Sequence, residues 1–281
     1  MSLKNLSYFI DIKNFPINEP ESAKYKKIVK EAQEALEFDG CYVLPSIVNK
    51  EAINDMRAES AKIESLAHYT SNKVNVYFSK DDPTYPEDHP RRFFMERSNG
   101  FVSGDKFPEN SLIKELYYSE ELKNFIADCL GIAIYHYADP LASLTMNVNK
   151  PGDRFSWHYD TNEFTVTMLV QDCDQGGIFQ YVPNIRKESE NFEEVNKVLE
   201  GKSNKVVSLN LEPGDLQLFK GRYSLHRVSP IQGTIRRYVA IFSYVEEPNI
   251  VGSPVRTKQL YGKVLPIHIE RSGFRRDTFI D

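Results

Sequence analysis

A chain of 281 residues with 41% hydrophobic and 27% charged residues has the makeup of a globular protein with a sizeable core. A formal net charge of −5 leaves no basic footprint for nucleic acid or an anionic membrane surface. Cys41, Cys129 and Cys173 lie far apart without a CxxC pair, and no apolar leader or long apolar run is present. A zinc knuckle, a disulfide framework and a membrane span are therefore not expected, and a cytoplasmic protein is.

In chain order, Pro16 and Pro20 break residues 1–20, which are expected to run over the surface. From Glu21 to Phe38 the apolar positions Tyr25, Ile28, Val29, Ala32, Ala35 and Leu36 recur at helical spacing, and Asp39-Gly40 stops the helix. Cys41 to Pro45 reads as a short strand, and Asn49 is the expected cap of a second helix from Lys50 to Ala67. Residues 79–110, rich in Pro, Asp and Gly, are expected to form one long irregular segment carrying Arg91-Arg92. A third helix is predicted from Leu112 to Leu130, ending at Gly131.

Beyond Gly131 the texture changes to short strands separated by turns, the pattern of a sandwich or barrel. Leu144 to Asn149 alternates Leu, Met and Val with Thr, Asn and Asn, and Pro151-Gly152-Asp153 is a turn. Phe164 to Val170, Ile178 to Val182, Val206 to Leu211, Leu216 to Phe219 and Arg236 to Val245 are the further predicted strands. Residues 184–204 interrupt them with a charged, helical excursion. The chain thus divides into a helical and irregular stretch (1–130), a strand-rich core (131–250) and a C-terminal segment (251–281), expected to pack as one unit.

Chemistry concentrates in Phe155 to Thr161, where strand alternation sets His158 and Asp160 on one face. An imidazole and a carboxylate so placed can grip one metal ion. His226 follows after enough strands for a β-fold to return it to that pair, although a histidine satisfied within the core is the alternative reading. Two histidines and one carboxylate on one face of a metal make the facial triad of non-haem iron oxygenases. The strand Arg237 to Phe242 is apolar on both faces, and a guanidinium there is costly unless an anion meets it. A bound carboxylate gripped by two hydrogen bonds would do so, and an ion pair to a distant Asp or Glu is the other possibility. Arg236 points the opposite way, toward solvent, and the choice between the adjacent arginines stays open.

The pattern His158-x-Asp160, His226 and Arg237 resembles the Fe(II)/2-oxoglutarate-dependent oxygenase superfamily. Around it stand Asn147 to Asp153, Trp157 to Asp160, Gly176 to Phe179, Pro213 to Leu216 and Gly221 to Pro230, with a weaker match at Asn99 to Phe101. The likeness covers roughly residues 130–250 and is nearest to an ArpA-like subgroup related to BesD-type amino-acid halogenases. It implies an α+β protein with a double-stranded β-helix, or jelly-roll, core and an N-terminal helical layer. His158, Asp160 and His226 would ligate Fe(II), Arg237 would bind the distal carboxylate of 2-oxoglutarate, and O2 would be the second cosubstrate. Asn147 matches a position that often touches 2-oxoglutarate, while a tyrosine common two residues later is replaced by Asn149. Halogenases of the superfamily carry a small residue where Asp160 stands, so the resemblance implies hydroxylation of a small polar molecule, an amino acid or a derivative.

Residues 79–110, 184–204 and 251–263 are the expected lids. Lys150, Arg154 and Arg222 could orient an anionic substrate or serve as surface ion pairs. Trp157 is expected in the core, and His68, His89, His136 and His268 in structural or solvated places. A metal-dependent cupin without 2-oxoglutarate and a non-enzymatic jelly-roll binding protein are the rival readings. The oligomeric state is not legible.

Overall fold

The computed structural model describes residues 4–187 and 189–271. The ends of the expected first and last stretches (1–3 and 272–281) and residue 188 lie outside the described residues. The chain opens with α1 (Leu6–Phe9), α2 (Ala23–Phe38), β1 (Cys41–Leu44), α3 (Lys50–Ile63), β2 (His68–Val74), β3 (Met95–Val102), α4 (Leu112–Tyr117) and α5 (Glu120–Leu130). Next come β4 (Tyr135–His136), β5 (Leu144–Asn149), β6 (Phe155–His158), β7 (Thr165–Gln171), β8 (Gln175–Gly176) and β9 (Phe179–Val182). Helix α6 (Phe192–Leu199) leads to β10 (Val207–Leu209), β11 (Leu216–Phe219), β12 (Leu225–Val228), β13 (Ile231–Gln232), β14 (Arg237–Phe242) and β15 (Tyr244–Val245). Helices α7 (Pro254–Tyr261) and α8 (Pro266–Glu270) follow.

Two antiparallel sheets carry the fold. The larger has the order β1-β11-β7-β14-β5-β3-β2 and the smaller β10-β9-β12-β6. They meet through aromatic contacts such as Phe179 and Tyr181 against Phe219, with ring centroids 5.0 and 5.5 Å apart. This is the expected α+β architecture with a jelly-roll core. Strand alternation gives the large sheet two different faces. Leu144, Met146 and Val148 of β5, Val166, Met168 and Val170 of β7, and Tyr238, Ala240 and Phe242 of β14 pack with α2, α3, α4 and α5 in the main core. The alternate residues, among them Asn147, Asn149 and Arg237, are also buried but face the small sheet.

Several expected elements change on folding. Ser22 caps α2 by accepting from the Tyr25 amide, which buries Tyr25, Ile28, Ala32 and Leu36 on one face. Asn49 makes no such cap for α3. Its side-chain amide instead donates to the carbonyls of Ser7 and Tyr8 at 2.9 and 3.2 Å, tying α1 down. The predicted third helix is two, because Ser119 accepts from the Leu122 amide and starts α5 afresh. Residues 79–110 are not irregular throughout. They contain β3, which pairs with β2 and β5. The strand expected from Arg236 to Val245 breaks at Ser243, whose amide donates to the Ser143 carbonyl at 2.9 Å.

Met168 is fully buried in β7, between the sheet and the helices. Met168→Ala should cost about 2–5 kcal/mol of stability, read as a lowered urea midpoint with an unchanged slope.

Candidate metal centre

His158 ends β6, and His226 lies directly opposite it on β12 in the pairing register. Their ring centroids are 4.1 Å apart. Asp160 stands just past the end of β6, so a turn rather than the strand itself completes the group. Its amide donates to the Gly221 carbonyl at 3.0 Å, which pins the turn. Asp160 Oδ1 then lies 3.7 Å from His158 Nε2 and 3.5 Å from His226 Nε2. Among the described residues no other group of three His, Cys, Asp or Glu offers an ion such a set. Two ligand atoms bound to one ion at about 2.1 Å and at right angles sit roughly 3 Å apart, so the spacing suits adjacent coordination positions.

The backbone decides which ring nitrogen faces inward. His158 Nδ1 lies 2.7 Å from the Ser156 carbonyl, and His226 Nδ1 lies 2.9 Å from the Ser224 carbonyl. A carbonyl only accepts, so each Nδ1 carries the hydrogen and each Nε2 turns its lone pair toward the other. Burial holds the His158 pKa well below the ordinary range, His226 and Arg97 add to this, and Asp160 opposes it. Burial alone would raise the Asp160 pKa, but charge on the neighbouring imidazoles and the Thr165 hydroxyl hydrogen bond act the other way and hold it below the usual carboxylate range. Thr165 Oγ1 donates to Asp160 Oδ2 at 2.8 Å, leaving Oδ1 for the histidines. A quarter of the Asp160 side chain (23%) remains accessible, so the group is open on one side.

Gly221 makes room for this carboxylate. A Cβ built on it would stand 2.7 Å from Asp160 Cγ and 3.0 Å from Asp160 Cβ, closer than such atoms pack. Phe155 stacks on His158 with centroids 4.0 Å apart, while Phe219 meets His226 edge-on at 4.8 Å. The polar group therefore sits in an apolar surround.

The two adjacent arginines separate cleanly. Arg236 turns outward and pairs with Glu64. Arg237 is buried on the inner face, opposite Asn149 in the register, with Val239 opposite Asn147. Arg237 does have an acidic neighbour, as the alternative left open by the sequence allowed: Asp172 Oδ1 lies 3.6 Å from its Nε. That contact is not a hydrogen bond, and Nε is otherwise without one. Arg237, Asp172, Gly177, Ile178 and Glu212 line a cavity of about 210 Å³, whose lining does not include the histidines. Asn147 is occupied, donating to the Gly100 carbonyl at 3.2 Å. Both side-chain polar atoms of Asn149 and of Asn99 are buried without a partner.

Other candidates scatter. Arg91 donates to the Tyr85 hydroxyl and Arg92 to Asp81, so both are used within their own loop. Lys150 sits over the Tyr69 ring, and Arg222 donates to the Thr161 carbonyl at 3.3 Å. Trp157 packs in a core cluster under Arg227. His268 is fully buried and lies 2.9 Å from Asp139. Three side chains near His158 escaped the sequence reading. Phe78, Arg97 and Arg256 converge there, Arg256 from α7 within the expected 251–263 lid and Arg97 from a strand with polar residues on both faces and hence no strand signal.

Gly221→Ala should push Asp160 out of place and weaken Fe(II) or Ni(II) binding by about tenfold or more, measured by anaerobic calorimetry. Unchanged affinity would contradict the steric role. The depressed His158 pKa makes the metal-free protein lose stability on acidification. The unfolded chain takes up that proton as pH falls below about 6.5, whereas the folded chain resists it. Urea unfolding at pH 7 and pH 5 should show this slope, and His158→Gln should lessen it.

The family model described as halogenase D matches residues 24–257. No curated protein matches the chain. Solved structures share its fold at low identity. The 2-oxoglutarate-dependent epimerase SnoN from nogalamycin biosynthesis is 11% identical, with a TM-score of 0.55 over 79% of this chain and 82% of its own. HygX from Streptomyces hygroscopicus, solved with nickel, 2-oxoglutarate and hygromycin B, is 12% identical, with a TM-score of 0.54 over 79% and 90%. A prolyl hydroxylase from Trichoplax adhaerens, in complex with a hypoxia inducible factor peptide, is 16% identical, with a TM-score of 0.54 over 82% and 96%. An epimerase and a hydroxylase on one scaffold mean that the fold alone does not decide the reaction. With a family match over most of its length, the chain belongs to the halogenase D family, and its jelly-roll core is the fold of the 2-oxoglutarate-dependent enzymes above.

Proposed function

We propose that this protein is an Fe(II)- and 2-oxoglutarate-dependent oxygenase that hydroxylates a small polar molecule, an amino acid or derivative being the class favoured by the sequence resemblance. The observation that carries the reading is Asp160. Its carboxylate lies within 3.7 Å of both histidine Nε2 atoms and is held ionised there. In the superfamily's halogenases a small residue at this position leaves room for a halide. Here the position is filled by a group of the halide's own charge, which opposes that occupancy. The family takes its description from halogenation, and the carboxylate of this chain argues for a different outcome within it.

When bound, iron, 2-oxoglutarate and O2 supply the oxidising power for attack on a C–H bond, with succinate and CO2 as co-products. The chain's residues supply position. His158, Asp160 and His226 would hold the metal through three ligand atoms, and its remaining positions would be left for cosubstrate and O2. Arg237 has a buried, unfilled Nε and would take the distal carboxylate of 2-oxoglutarate in a forked pair. Asn149, which faces Arg237 across the strands with both amide atoms unfilled, can add a donor where the superfamily's usual tyrosine is missing. Asn147, bound to Gly100, would brace this wall. Phe155, Phe179 and Phe219 around the imidazoles limit water.

Anaerobic addition of Fe(II) and 2-oxoglutarate should produce a weak visible charge-transfer band. Arg237→Ala should raise the 2-oxoglutarate needed by about 30-fold or more. Aerobic turnover over a panel of free and carrier-bound amino acids, with chloride and bromide present, should release succinate and yield a product heavier by one oxygen atom. A halogenated product from the unmodified protein would overturn the hydroxylase reading, and a wild type without the band would overturn the cosubstrate.

A further inference from the structure

Arg97 is the most conspicuous unspent group in the molecule. It has no exposed surface, and its Nε, Nη1 and Nη2 all lack a hydrogen-bond partner. Burying a guanidinium with every donor unfilled is costly unless an anion completes it. The faces of the group are covered. Its Cζ lies 4.4 Å from the Phe155 ring centre and 5.5 Å from that of Phe78. Phe155 is the ring stacked on His158, so Arg97 stands one aromatic ring away from the metal group.

A second guanidinium comes to the same place. Arg256 of α7 lies 3.9 Å over the Phe78 ring, and Phe78 in turn lies 5.5 Å from His158. Arg256 Nη1 donates to Gln259 Oε1 at 2.8 Å, and the group keeps a partly accessible surface. Burial brings its pKa down to about 10, against the pull of Tyr261 and Asp160, so it remains charged at neutral pH. Arg97 and Arg256 also repel one another, which lowers the pKa of Arg97 beyond the effect of burial. Among the described residues no carboxylate lies within ion-pair distance of either.

The nearby acids are already used. Asp160 belongs to the metal group. Asp139 accepts from the amides of Leu141, Ala142 and Gly252 and lies 2.9 Å from His268. Those contacts also fasten the loop before α7 and helix α8 after it, so Arg256 is presented from an element held at both ends. Two cations converging beside the metal group, with no free acid among the described residues to receive an ammonium, favour a ligand of charge −2 over a zwitterion of charge zero.

We infer that Arg97 and Arg256 form the substrate-recognition site, and that the substrate carries a dianionic group, either a phosphate monoester or a pair of carboxylates, bound between them. This rests on the oxygenase reading and adds the charge of the molecule to be oxidised. Phe78 and Phe155 form the floor between that group and His158. An acid anchored there holds the rest of the molecule toward the metal group. Among amino-acid derivatives, the site selects those whose net charge is negative.

The test uses protein loaded anaerobically with Fe(II) and stoichiometric 2-oxoglutarate, with inorganic phosphate, methylmalonate and glycine as probes followed by calorimetry. Wild type and Arg236→Met should bind a dianion saturably and glycine not at all. Arg97→Met and Arg256→Gln should each weaken dianion binding by about 30-fold or more. Phosphate alone binding would identify a phosphate monoester, and methylmalonate alone a dicarboxylate. Glycine binding as well as the dianions, dianion binding unaffected in both variants, or none in wild type would overturn the inference. Should Arg97→Met fail to fold, Arg97→Lys and Arg256→Gln carry the same comparison. The charge-transfer band, recorded on the same samples, keeps the two readings apart: a band without dianion binding defeats only this one.

Discussion

The large sheet has to bury both of its faces while making them chemically opposite. Toward the helices it presents Met146, Val148, Val166, Met168, Ala240 and Phe242. Toward the small sheet the same strands present Asn147, Asn149 and Arg237. Only strict alternation permits this, and a slip of one residue would drive a guanidinium into the hydrophobic core. The helical layer is therefore more than a cover. By fixing the apolar face it dictates which residues look inward, and the polar interior follows from that.

The metal group depends on the same geometry at a smaller scale. The pairing of β6 with β12 sets the two histidines opposite one another, and carbonyls two residues earlier orient both rings. Asp160 is placed differently, by a turn that leans on Gly221 and by the Thr165 hydroxyl. The carboxylate of the group is thus held by a turn and not by the ladder. That makes it the member of the group most easily altered without disturbing the strands.

The legible parts of this chain were those with a linear signature. His158, Asp160, His226 and Arg237 lie in a recognisable order, and the amphipathic stripe of α2 is plain. Strand β3 was hidden because its buried face carries Arg97 and Asn99 while the other carries Glu96 and Ser98, so no alternation of apolar and polar residues marks it. Arg97 was lost with it. Arg256 lies in a helix where Thr257 is the buried residue, too weak a stripe to show which side turns inward. The break at Ser119 was invisible because a serine preceding two glutamates reads equally well as helix interior. Asp172 was missed as a neighbour of Arg237 because two strands separated in sequence bring it there.

The buried pair of Asp139 and His268 has a consequence for how such a protein can diversify. It secures α7 and α8 to the loop after β4, apart from the strands that hold the metal group. Arg256 is consequently carried by a short appended piece with its own fastening. Residues along that piece can be exchanged while the strands that carry His158 and His226 stay unchanged, a division of labour between a fixed core and a replaceable flank.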